Sequence, residues 1–203
     1  DLSDVKKNGA NVTINQKLIT VSWPAGKGQT GKMILDLNQR NPLFSSIQLG
    51  KGKAFKEITT GLDPAFVLTV GKRTLSPNSG GWDVFFDRVP KKPYQSYAVN
   101  IDKRSAKVTT NGQQTIVRIS GAHADRFDGA IEITYYNGSP LFNVAAVLST
   151  HIDSTAILYD AGLVNKKSLW KSMAWANVQD EMQHARPSAG DASKNIEVKY
   201  RTI

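Results

Sequence analysis

The sequence predicts an all-β protein, a large antiparallel β-sandwich with little helix. Three observations predict it. Short runs of β-branched, aromatic and aliphatic residues recur along the 203 residues, separated by Gly, Pro, Asn and Asp. Two pairs of these runs are joined by turn chemistry, at Asn111-Gly112 and at Asn137–Pro140. Only Lys166 to Gln183 permits a helix at all. One domain over residues 1–203 is expected, because sandwiches of about 200–250 residues fold as single units. No repeat, low-complexity tract or clear linker divides the chain.

In chain order, Val12 and Ile14 open a first run. Leu18, Thr20 and Ser22 then alternate with Ile19, Val21 and Trp23, which places Trp23 in the core. Met33, Leu35 and Leu37 alternate with Lys32, Ile34 and Asp36. The runs "PLFSSIQLG", "AFVLTVGKRTL" and "GWDVFFDRV" follow. "SAKVTTNGQQTIVRISG" reads as a hairpin with Asn111-Gly112 in a type I′ turn, where both central residues need positive φ.

A second hairpin is "FDGAIEITYYNGSPLFNVAAVLST". Ile131, Ile133 and Tyr135 alternate with Glu132, Thr134 and Tyr136, and Pro140 belongs at the next strand's start, since it cannot donate a ladder hydrogen bond. The nearly all-apolar "LFNVAAVLST" predicts a strand buried on both faces in the middle of the sandwich, with Val144, Val147 and Leu148 in the core. In Lys166 to Gln183, Met173, Trp175 and Asn177 favour a strand after a turn over a helix. The loop "HARPSAGDASKN" leads to a last strand, "IEVKYRTI".

Composition narrows function by exclusion. There is no cysteine, hence no thiol catalysis, thiolate site or disulfide. Lys+Arg is 26 against Asp+Glu 17, a net charge of +9, which suits an anionic partner or solubility alone. The basic residues are scattered in pairs at most, so no nucleic-acid partner is expected. No apolar stretch approaches the roughly 20 residues of a membrane span. There is no phosphate-binding Gly loop, nucleophile elbow or zinc-binding helix motif, so no cofactor is expected, and no motif predicts a metal, with calcium on aspartates and backbone carbonyls left open. The chain opens at Asp1 without methionine, as a processed or trimmed piece of a larger protein would.

The second hairpin resembles one found in galactose-mutarotase-like supersandwich domains, where a strand ends in a Gly-Ser or Gly-Ser-Pro turn and the next strand is strongly apolar. The resemblance covers roughly Trp82 to Val164. It implies large antiparallel sheets stacked face to face, a concave surface offered to carbohydrate, and a periplasmic or secreted protein. Catalytic members of the family carry histidines and a carboxylate on that sheet. Here no histidine sits in their motifs.

The candidate site residues follow from side-chain chemistry. His123, Asp125, Arg126 and Asp128 cluster in "GAHADRFDG", either as a base or ligand set or as a polar loop turning at Asp128-Gly129. His151 stands at the end of the apolar strand, towards the same end of the hairpin as His123. These two are the candidate catalytic residues. Trp82, Trp170, Trp175 and Tyr94 offer aromatic faces to sugar rings, with Asp87 and Arg88 near Trp82 and Arg126 elsewhere as hydrogen-bonding groups. Each tryptophan has core packing as the competing reading. The expected function is a non-catalytic, carbohydrate-associated domain that binds sugar, anionic polysaccharide included, or supports a polysaccharide-processing neighbour. The alternative is an aldose epimerase or polysaccharide lyase using a histidine base.

Overall fold

The computed structural model describes residues 1–72, 94–165, 170–187 and 196–199, and every regular element among them is a strand. The chain separates into two compact units, Asp1–Val164 and Asn165–Ile203. The expected strand around Trp82 lies outside the described residues. Among the described residues no helix is long and apolar enough to cross a membrane.

In the first unit, alternation builds a meander of β1 (Asn11–Asn15), β2 (Leu18–Gly26), β3 (Gln29–Asp36), β4 (Phe44–Lys51) and β5 (Ala54–Lys72). Each strand pairs antiparallel with the next, and β6 (Tyr94–Ala98) and β12 (Thr155–Asn165) also flank β5. β2 shows the period of two directly: Ile19, Val21, Trp23 and Ala25 are buried and their neighbours are not. The second sheet holds β7 (Asn100–Ile101), β8 (Ala106–Asn111), β9 (Gln114–Ala124), β10 (Phe127–Tyr136) and β11 (Phe142–Ser149).

The inner faces of the two sheets share one core. Val21, Trp23, Met33 and Leu35 from the first meet Val117, Ile119, Ile131 and Tyr135 from the second. This is an all-β, sandwich-like antiparallel fold, as expected. Trp23 and Tyr135 pack as a tilted pair with ring centroids 4.8 Å apart, and the Tyr135 hydroxyl donates to Met33 Sδ at 3.0 Å. The turn after β10 docks onto β2: Trp23 Nε1 donates to Ser139 O at 2.9 Å, and Gly138 N–H to Pro24 O at 2.7 Å. Gly26, at φ +81°, abuts Gly138, and any side chain there would meet the Gly138 carbonyl.

Four expectations are corrected. β11 is not buried on both faces. It ends its sheet, so Phe142, Val144, Ala146 and Leu148 only partly enter the core, and Val147 is 40% exposed. Asp128-Gly129 is not a turn. Both residues lie in β10, and the chain reverses at Asp125-Arg126, with Asp125 at φ +50°. In the β8–β9 hairpin the central residues are Gly112 and Gln113, one later than expected, because Asn111 still pairs with Gln114. Of "IEVKYRTI", only Ile196 to Lys199 is described and it forms no strand, although Lys199 N–H donates to Ala176 O at 2.9 Å.

The second unit contains one described hairpin, β13 (Met173–Ala176) and β14 (Met182–Ala185). The strand reading of that stretch therefore holds over the helical one.

A buried polar clamp closes the β3–β4 loop. Asp36 accepts from the Asn38 N–H and Asn38 Nδ2, both at 2.8 Å, and from Asn41 Nδ2 at 2.7 Å. Lys103 Nζ donates to Asn38 O at 3.0 Å and to Asn41 O. Burial pushes the Asp36 carboxyl up, but the Asn38 and Asn41 hydrogen bonds and the Lys103 charge outweigh it and hold it below the ordinary 3.8. The unfolded chain therefore binds the proton first. The stabilisation is complete above about pH 4 and is lost as pH falls through the folded value. In acid titrations followed by denaturant unfolding, Asp36→Asn is expected to be less stable than the wild type at pH 7 yet to lose less on acidification. An unchanged acid limb would contradict this role.

Candidate functional site

Side chains that face away from the core on the second sheet form an ordered polar surface. Cross-strand register sets its rows. Asn100, His123, Asp128 and Ser149 lie opposite one another across β7, β9, β10 and β11. Lys107, Arg118 and Glu132 form a second row. Arg118 is ion-paired to Glu132.

A bulge aims His123 outwards. Gly129 pairs with Ala122 and Ala130 with Ser120, so Gly121 is an extra residue in β9. Without it, strict alternation from Ile119 would turn His123 into the core. With it, Ala122 and Ala124 are buried and the His123 side chain is 39% exposed. Gly121 takes φ +95°, and a Cβ there would lie 3.0 Å from both Arg104 Cγ and Asp102 Cβ. The bare glycine thus lets Asp102 and Arg104 lie across the strand. Their backbone is tied down by Asp102 N–H to Gly121 O at 2.8 Å and Arg104 N–H to Ser120 O at 3.1 Å. Lys103, between them at φ +47°, turns the opposite way into its buried clamp.

One carboxylate oxygen organises the cluster. Asp102 Oδ2 accepts from Arg104 Nη2 at 2.7 Å and Nε at 3.2 Å, and His123 Nδ1 stands 3.8 Å from it. Beside it, the Ser105 and Ser120 hydroxyls are 2.7 Å apart. These groups are half-exposed, so their pairings add little stability, about 0–1 kcal/mol each. They present fixed donors and acceptors to solvent. Among the described residues no group of three or more His, Asp or Glu is placed to hold a metal ion.

His151 lies two residues past Ser149, which pairs with Asp128, so it shares the sheet end with His123. It is exposed and makes no ion pair or side-chain hydrogen bond among the described residues. Arg126, exposed at the Asp125-Arg126 turn, occupies that end too. Trp175 sits on β13 in the second unit. Trp82, Asp87 and Arg88 lie outside the described residues. Sequence reasoning missed Asp102, Arg104, Arg118 and Glu132. Asp102 and Arg104 come from a separate segment, and no linear spacing links them to His123. The one usable signal was "ISGAH", a glycine inside a strand, which marks a bulge.

Comparison with protein-family models, with curated proteins and with solved structures finds no match to the chain.

Proposed function

We propose that this chain is a carbohydrate-associated β-sandwich domain of an exported protein, one that binds sugar or supports a polysaccharide-processing neighbour and does no chemistry itself. The observation that carries this reading is the outward face of the second sheet, where rows of amide, hydroxyl, carboxylate and guanidinium groups stand in register. Sugars offer rings of hydroxyls in alternating donor and acceptor roles, and such a face meets them without rearranging. The hairpin's resemblance to galactose-mutarotase-like domains supports the same reading. So does the net charge of +9 for an acidic glycan. The test is a glycan array probed with the intact chain. Binding to at least one polysaccharide class is expected, and silence across neutral and acidic glycans would refute it.

The second reading is a sugar-active enzyme with His123 as base. The Asp102 oxygen near His123 Nδ1 favours it, since a carboxylate there can orient an imidazole. Against it, that oxygen is already held by Arg104, and His123 opens to solvent. Proton exchange on free aldoses and cleavage of uronic-acid polysaccharides are expected to stay at background. General acid–base groups contribute about 10²–10⁴-fold in rate. Turnover that disappears in His123→Ala or His151→Ala would replace the binding reading with the enzymatic one.

A further inference from the structure

We propose that the open end of the β13–β14 hairpin binds saccharides carrying an anionic substituent, with Trp170 as stacking platform and Lys171 and Arg186 as the charge. This inference rests on the reading of the chain as a glycan binder, but it concerns a second site in the second unit. The hairpin register makes the site. Met173 pairs with Ala185, so the residues entering β13 run beside those leaving β14. Trp170, Lys171 and Ser172 thereby join Arg186 and Pro187 around one open pocket of about 600 Å³.

Its composition is specific. Trp170 is 50% exposed, although a tryptophan indole gains most from burial. Lys171 and Arg186 are exposed, and neither forms an ion pair among the described residues. Among the described residues of this unit Lys199 pairs with Asp180 at 2.6 Å, and neither lines the pocket. Among the described residues no carboxylate lines the pocket. Residues 165–203 carry seven Lys and Arg against four Asp and Glu.

Each group has a complementary feature on an acidic sugar. The apolar face of a pyranose covers the indole, while Ser172 exchanges hydrogen bonds with ring hydroxyls. The Arg186 guanidinium takes a carboxylate or sulfate through two parallel N–H donors, and Lys171 adds a point charge. A neutral sugar satisfies only the first half of this set.

The experiment is calorimetric titration of the full chain with oligogalacturonate, with a sulfated galactan oligosaccharide and with a neutral galactan of equal length. Anionic ligands are expected to bind more tightly than the neutral one, and the two anionic arms decide between carboxylate and sulfate. Trp170→Ala is expected to weaken anionic binding by about tenfold or more, and Trp170→Phe to retain most of it. Lys171→Gln with Arg186→Gln is expected to erase the preference for anionic over neutral sugar and to flatten its salt dependence. The Trp170→Phe and double-Gln variants keep the test valid if Trp170→Ala perturbs folding. Anionic binding unchanged in all three variants would overturn this site while leaving the chain a glycan binder. Equal wild-type affinity for neutral and anionic sugars would overturn its anionic specificity. Failure of the wild type to bind any sugar would overturn both readings.

Discussion

Replacing Trp23 by alanine is expected to cost about 3–5 kcal/mol, the usual range for emptying a fully buried aromatic site. Trp23 is 2% exposed and joins the two sheets through Tyr135, whose ring lies 4.8 Å away. It also packs an edge towards Phe142, at 6.5 Å. Its indole N–H donates to Ser139 O, so the substitution also leaves that carbonyl without its partner. Gly31 leaves the space the indole occupies, because a Cβ there would overlap it. Denaturant unfolding followed by far-UV circular dichroism gives the number. Trp23→Phe is expected to recover part of the loss by refilling the cavity without the N–H. A cost below about 1 kcal/mol would mean that the sheets do not meet through this residue.

Gly129→Ala is the second large effect, expected at about 3 kcal/mol, the top of the usual range for forced overpacking. A Cβ on Gly129 would overlap the Val147 carbonyl oxygen and lie 3.0 Å from Leu148 Cα, both of them backbone of β11. Backbone cannot step aside as a side-chain tip does. The β10–β11 ladder would have to open beside the Gly121 bulge that aims His123. The same unfolding measurement checks it, with one-dimensional NMR of the folded variant to see whether the ladder shifts. A loss below about 0.5 kcal/mol, typical of an exposed surface site, would put Asp128-Gly129 back in a turn.

Trp23 and Gly129 mark what was legible from residues alone and what was not. β2 was legible because Ile19, Val21 and Trp23 alternate strictly against polar neighbours, and burial followed that alternation. The β10–β11 hairpin was legible because Gly138 and Pro140 punctuate two strong runs. Asp128-Gly129 misled because Asp-Gly is a strong turn signal, whereas the real turn uses Asp125, an aspartate at positive φ three residues earlier. β5 runs 19 residues through Gly61 and Pro64, which read locally as breaks. β11 misled for a different reason. An apolar run does not say whether a neighbour covers it, and β11 ends its sheet.

The site was less legible than the fold. His123, Arg126 and His151 do share one sheet end, because hairpin connectivity alone requires it. Asp102 and Arg104 reach His123 only through the Gly121 bulge, a three-dimensional coincidence of two segments. Trp170 was recognisable as a sugar-stacking type with Lys171 next to it in sequence, but Arg186 joins them only through the β13–β14 register.

The most direct measurement of the proposed sugar-binding face is backbone amide chemical-shift mapping of the intact chain during titration with the oligosaccharide that the array selects. The result expected is a contiguous set of shifts over Asn100, Asp102, Arg118, Ser120, His123 and Glu132, with little change at core positions such as Ile131 and Ile133. Shifts confined to the apolar edge strands β11 and β12, or no shifts in the second sheet at saturating ligand, would contradict it.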